Sequence, residues 1–210
     1  MTTSEMFSQF LKNIRIPDAD ADVISARYHE ITKSLNKNFR DTESDTANCL
    51  QVGSYGRWTG IKNISDLDML YIMPKSLWET YKNDQYAILV DTKAAIKARY
   101  PKTDAKVDRL VVVVQYTDFK IEVQPVFEEE DEDGGSYFKY PDTYYGGSWK
   151  ITKPRQEVAA MTEFVRNKNY NLRLLCKMTR AWKNKCGEPM GGLLIDTLAY
   201  NFLNGTIAVH

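Results

Sequence analysis

An α+β fold is what this sequence of 210 residues predicts: helices first, a mixed sheet in the middle, helices again at the end. Three observations carry the prediction. Apolar residues recur at helical spacing before residue 40 and after residue 155. Valine, isoleucine and leucine crowd the stretches 49–73 and 107–127, between turn-forming residues. No internal repeat breaks that order.

The elements follow in turn. A first helix runs from about Ser4 to Ile14. Pro17 and Asp18 punctuate, and Val23, Ile24, Ile31 and Leu35 mark one face of a second helix from about Asp20 to Phe39. Arg40 to Ala47 is polar and reads as a loop. Cys49 to Val52 is a short strand that runs into Gly53-Ser54-Tyr55-Gly56, a tight turn with outward N–H groups. A second strand lies within Ile64 to Met73, and Pro74 ends it. Ser76 to Tyr100 is mainly helical, with a break near Asn83 and Asp84. Val107 to Gln115 and Lys120 to Phe127 form a hairpin about Thr117-Asp118. Glu128 to Asp133 reads as a solvated acidic loop, Ser136 to Tyr140 as one more strand, and Pro141 to Pro154 as an aromatic-rich loop. Helices cover about Arg155 to Asn167, Asn171 to Lys185 and Leu193 to Leu203. The expected domains are a core at 1–150, with its N-terminal helices, and a helical lobe at 151–210. The chain stops just after its last helix, so that lobe is open to being cut short.

Composition narrows the function. Hydrophobic residues make up 43% and charged residues 27%, which fits a globular domain and not a disordered one. Formal net charge is zero, so a constitutive nucleic-acid binder, which leans on positive charge, is disfavoured; a local basic patch is still allowed. Cys49, Cys176 and Cys186 show no metal-ligand spacing and read as free thiols in a reducing compartment. The N-terminus lacks the pattern of a signal peptide, and no apolar run reaches the roughly 20 residues of a membrane span. A cytoplasmic protein with no membrane partner is expected.

The chemistry concentrates on carboxylates. Asp66 and Asp68 are two apart on a strand and therefore share a face, while Leu67, Met69 and Tyr71 point the other way. Two like charges on one face repel unless a cation sits between them. Glu122, between the apolar Ile121 and Val123, is a third. If its strand lies beside that of Asp66, three carboxylates converge, enough for two Mg²⁺ ions about 3.5–4 Å apart that clamp an in-line phosphoryl displacement. Gly53 lets the backbone approach a phosphate closely, and the Ser54 hydroxyl adds a donor. A lone D-x-D is weak evidence; the strand, G-S turn, spacer, D-x-D and strand acid in this order are much stronger. Arg57, Thr59 and Lys62 lie between the two motifs as possible phosphate or acceptor contacts, and Tyr137 or Tyr140 as a base-stacking side chain.

These residues also resemble a known family. Gly53-Ser54-Tyr55-Gly56-Arg57-Trp58-Thr59-Gly60, followed by Ser65-Asp66-Leu67-Asp68-Met69-Leu70, is similar to the signature of the DNA polymerase β-like nucleotidyltransferases. Within that superfamily the resemblance is to the bacterial CD-NTases, the cyclic GMP-AMP synthase/DncV-like enzymes of anti-phage signalling. Ile121-Glu122-Val123-Gln124-Pro125-Val126-Phe127 resembles their third-carboxylate strand, with Glu where many carry Asp, and Gly147-Ser148-Trp149-Lys150-Ile151-Thr152-Lys153-Pro154 resembles the segment leading into their helical half. The likeness runs from about Cys49 to Leu203.

The resemblance implies a polymerase-β-like mixed sheet with flanking helices and a helical C-terminal part. It implies Asp66, Asp68 and Glu122 as catalytic metal ligands for Mg²⁺, with Mn²⁺ as a substitute, and Gly53 and Ser54 on the donor phosphates. On the helix from Asn171, Arg173, Lys177, Arg180 and Asn184 share one face, with Leu174, Leu175, Met178 and Trp182 on the other. Relatives carry R-x-x-K before the Trp; here Lys177 and then Arg180 are the expected phosphate contacts. The implied activity joins ribonucleoside triphosphates (ATP, GTP or UTP) into a cyclic or short linear oligonucleotide with release of pyrophosphate. An RNA or protein activator is allowed, and no DNA specificity is evident. The alternatives are a nucleotidyltransferase acting on RNA ends, a protein or a small molecule, and a non-catalytic nucleotide-binding module.

Overall fold

In the computed structural model, residues 1–63, 66–168 and 170–205 are described. Helix α1 (Thr3–Ile14) starts at a capping box: Thr2 accepts from the Glu5 N–H, and the Thr2 N–H donates to the Glu5 carboxylate. Helix α2 (Asp18–Arg40) buries Ile24, Tyr28, Ile31 and Leu35 against the sheet and ends on Asp41 in the left-handed region. Next come β1 (Cys49–Gln51), the single turn α3 (Gly53–Gly56), β2 (Asp66–Ile72), a 3-10 turn, α4 (Trp78–Tyr81) and α5 (Gln85–Arg99). Asp84 caps α5 by accepting from the N–H groups of Tyr86 and Ala87, where the sequence places the break. Strands β3 (Asp104–Asp108), β4 (Val111–Gln115), β5 (Lys120–Glu130), β6 (Ser136–Asp142) and β7 (Ser148–Thr152) follow. Helices α6 (Pro154–Asn167), α7 (Asn171–Cys186) and α8 (Gly192–Gly205) close the described chain.

The sheet runs β1-β2-β5-β4-β3, with β6 on the far half of β5 and β7 on β6. Strands β2 and β5 are parallel, and the other pairs are antiparallel. A parallel pair needs a long crossover; here it is α4, α5 and the β3–β4 hairpin. The main core packs α2 and α5 against Leu67, Met69, Tyr71, Ile121 and Val123 from one sheet face. A smaller cluster of Leu70, Val126 and Phe138 fills the other face, with Tyr140 packed on it. Met161, Phe164, Leu172, Cys176 and Ala199 form a separate core among α6, α7 and α8. No described helix is long and apolar enough to cross a membrane.

Three sequence expectations need correction. Val107 to Gln115 is not one strand: Arg109, in the left-handed region at φ 38°, folds the chain back between β3 and β4. The acidic run is not all loop, because Glu128, Glu129 and Glu130 extend β5 opposite β6. The aromatic stretch after Pro141 carries β7, anchored where Trp149 meets Trp78 and Phe127 and donates from Nε1 to the Lys82 carbonyl at 2.9 Å.

Buried Asn36 joins α2 to the sheet. Its Nδ2 donates to the carbonyls of Ser44 and Ala47, and its Oδ1 accepts from Asn48 Nδ2 and the Tyr71 hydroxyl. Asn36→Ala removes these bonds, leaves the buried Tyr71 hydroxyl without this partner and lowers stability by about 2 kcal/mol in urea unfolding followed by tryptophan fluorescence.

Candidate active site

The carboxylates meet because of register. Parallel pairing sets Asp66 beside Lys120 and Asp68 beside Glu122. With the intervening residues buried on the opposite face, all three acids leave the sheet on one side, and their ligand oxygens lie within 4.8 Å of one another. Burial, then the charges of Asp66 and Glu122, push the Asp68 pKa up to about 6. A partial counter-ion is already present: Lys120 Nζ lies 2.5 Å from Glu122 Oε1. Three hard oxygen donors whose repulsion one ammonium offsets only in part fit a divalent cation such as Mg²⁺.

The Gly53 turn is built against these acids. The Val52 N–H donates to the Asp68 carbonyl at 3.0 Å, so the turn hangs from β2. Gly53 sits at φ +62°, and a Cβ there would stand 1.8 Å from Asp68 Oδ2. Chain and carboxylate approach each other only because the side chain is absent. The turn then opens α3, whose first N–H groups lack partners within the helix. Thr59 does not face the opening; its N–H and that of Gly60 donate to the Ser54 carbonyl at 2.9 and 3.0 Å and close the turn from behind.

A cavity of about 460 Å³ lies beside the acids, lined by Gly53, Ser54, Arg57, Asp66 and Asp68 on one side and by Arg180, Lys183, Asn184 and the 190–193 loop on the other. Of the residues expected on phosphate, Gly53, Ser54 and Arg180 line it; Lys177 does not. Half-buried Lys177 has its pKa lowered by desolvation and by the nearby charges of Arg173 and Arg15. Arg180 is buried, and its guanidinium donates to both oxygens of Asp196 at 2.5 and 2.9 Å and to the Gly192 carbonyl at 2.9 Å. Arg57 donates to Asp196 at 2.7 Å and to Glu157 at 3.1 Å. Burial works to raise the Asp196 pKa, but the hydrogen bonds and charges of Arg180 and Arg57 outweigh it and hold it below the usual carboxylate range. Lys62 is exposed and donates its backbone N–H to the Ile14 carbonyl. Tyr137 and Tyr140 lie on β6 and do not line the cavity.

Sequence reading missed Lys120, Asp196 and Lys183. Two had a signal: Lys120 stands two residues before Glu122 on the same strand face, and Asp196 is the lone acid of an apolar helix.

The electrostatics give a test. A carboxylate whose folded pKa is raised binds its proton more tightly folded than unfolded, so the metal-free fold loses stability as pH rises from about 4 through 6, by at most about 3 kcal/mol. Asp68→Asn therefore raises the melting temperature of the metal-free chain at pH 7.5 and flattens its pH dependence between 4 and 7. Mg²⁺ stabilises the wild type and leaves Asp68→Asn unmoved. Gly53→Ala, which displaces Asp68, loses the Mg²⁺ response as well. Scanning calorimetry reads all three.

Solved structures with this architecture share little sequence with the chain. The CdnC of E. coli MS115-1, determined with ATP, superposes with a TM-score of 0.70 at 12% identity, over 97% of this chain and 66% of that one. The CdnE c-UMP-AMP synthase of Rhodothermus marinus gives 0.63 at 14% identity, over 84% and 68%. The dinucleotide cyclase DncV of Vibrio cholerae gives 0.60 at 12% identity, over 77% and 48%. The chain thus spans just under two thirds of the CdnC length. No curated protein matches it in sequence. The model of the SMODS family, the Second Messenger Oligonucleotide or Dinucleotide Synthetase domain, matches residues 1–165. With that match over most of its length, the chain belongs to the SMODS (CD-NTase) family of nucleotidyltransferases.

Proposed function

We propose that the chain is a Mg²⁺-dependent nucleotidyltransferase that joins ribonucleoside triphosphates into a cyclic or short linear oligonucleotide messenger and releases pyrophosphate. Such a messenger serves bacterial anti-phage signalling. The observation that carries the reading is the meeting of Asp66, Asp68 and Glu122 within 4.8 Å, with the Gly53-Ser54 turn packed against Asp68. ATP, GTP and UTP are the proposed substrates, in line with the nucleotides of the similar structures.

In the proposed reaction a ribose hydroxyl of the acceptor attacks the α-phosphorus of the donor. A P–O bond forms there, the bond to the oxygen bridging the β-phosphate breaks, and pyrophosphate leaves. Mg²⁺ held by Asp66, Asp68 and Glu122 would neutralise phosphate charge and acidify the attacking hydroxyl. Glu122, oriented by Lys120, takes the hydroxyl proton. The Ser54 hydroxyl and the α3 N–H groups receive the donor phosphates. Arg180 adds positive charge from the opposite wall. Lys183, on that wall, makes a direct contact in place of Lys177, one of the two cations that the sequence offered.

Incubation with all four ribonucleoside triphosphates and Mg²⁺, then phosphatase and mass spectrometry, is expected to show a phosphatase-resistant oligonucleotide. Asp66→Ala/Asp68→Ala removes several kcal/mol of transition-state stabilisation and cuts its formation at least about 10³-fold. A product that persists in that variant refutes the assignment.

A further inference from the structure

Asp196 is not among the residues lining the cavity, yet both cavity walls are tied to it. It is the only charged residue of α8 and is 2% exposed. Its Oδ2 accepts from Arg57 Nε at 2.7 Å and from Arg180 Nη2 at 2.9 Å, and its Oδ1 from Arg180 Nη1 at 2.5 Å.

One arm leads to the donor turn. Arg57 follows Ser54 by three residues. The Thr59 hydroxyl lies 3.4 Å from both Asp196 Oδ2 and the Ser54 carbonyl. The other arm leads through Arg180 to the Gly192 carbonyl, at the first residue of α8. A Cβ on Gly192 would come within 3.1 Å of Arg180 Nη2, so this wall is closely fitted too. These are the two sides of the cavity beside Asp66 and Asp68.

The charges point the same way. Two arginines, each under a tenth exposed, converge on Asp196 from the two sides. Side by side they would repel; Asp196, shared by both, and Glu157 on Arg57 let the two guanidiniums stay together.

We propose that Asp196 is a positioning residue for the triphosphate: through Arg57 and Arg180 it fixes the spacing of the two sides that receive the β- and γ-phosphates and the placement of both guanidiniums between them. The proposal rests on the nucleotidyltransferase reading.

The test is calorimetric titration, with Mg²⁺, of α,β-methylene ATP and of AMP, which lacks the β- and γ-phosphates. Asp196→Asn is expected to weaken the ATP analogue about tenfold, the loss of one charge-assisted contact, and to leave AMP unchanged. Asp196→Glu, which keeps the charge, recovers most of that affinity. If Asp196→Asn does not melt cooperatively, Arg180→Lys decides, since it keeps the charge but not the two-pronged grip; the same selective loss is expected. Equal loss for both ligands, or none in a folded variant, overturns the positioning role alone. A wild-type chain that binds neither ligand overturns the nucleotide reading itself, and this role with it.

Discussion

The parallel pairing of β2 with β5 is the constraint on which the rest of this structure depends. Strand side chains alternate, so a register that sets Asp68 beside Glu122 also sets Leu67 beside Ile121 and Met69 beside Val123. The apolar set is fully buried beneath α2 and α5. A slip of one residue would drive the acids into that core and the leucine and valine out to solvent. The hydrophobic core thus holds three like charges in a place they would not choose. The repulsion is a result of packing on the other face, and no acid has to be strained individually to produce it.

That placement shapes its surroundings. Asp68 occupies the volume where a side chain at position 53 would stand, and this makes glycine obligatory for steric reasons as well as for its φ. Lys120 softens the charge from within the sheet, two residues before Glu122. One ammonium against three carboxylates neutralises only part of the excess, and burial, with the neighbouring acids, keeps the Asp68 pKa raised. A site that keeps such a charge excess is less stable than it need be, and it is correspondingly receptive to a divalent cation. The stabilising groups lie elsewhere, in the sheet core and in polar hubs such as Asn36.

Much of this was legible in the sequence, because period-2 alternation and turn residues are local signals. The D-x-D pair, the Glu122 strand and the glycine turn are read from neighbours alone. The errors arose where distant residues decide. Nothing within Val107 to Gln115 announces a reversal at Arg109; it is held by Asp142, 33 residues on, which accepts both Arg109 Nε and Nη2 at 2.8 Å. These bonds, with Lys150 beside them, hold the Asp142 pKa far below the carboxylate range despite its desolvation. Likewise β7 is fixed by Trp149 packing on side chains from α4 and β5, a contact invisible in the Gly- and Tyr-rich stretch around it.

Helix α7 shows the same limit at the site itself. Grouping Arg173, Lys177, Arg180 and Asn184 as one polar face treats each cation as solvated or ligand-bound. Yet Arg180 is also in phase with Leu172 and Cys176, at i+8 and i+4, and these three are the buried stripe of the helix. Trp182, grouped with the apolar face, is 51% exposed. An arginine in an apolar stripe requires a buried anion, since burying it alone would be prohibitive. An aspartate alone in an apolar helix requires a buried cation for the same reason. Each oddity is weak alone, but the two are opposite in sign, and helices joined by a short Gly-rich loop pack together. Read as a pair, they show that Arg180 and Asp196 answer each other first. Of the cations lining the cavity, Arg57 and Arg180 are engaged by buried Asp196, and Lys183, one position past Trp182, is the one to which the proposed phosphate contact would fall.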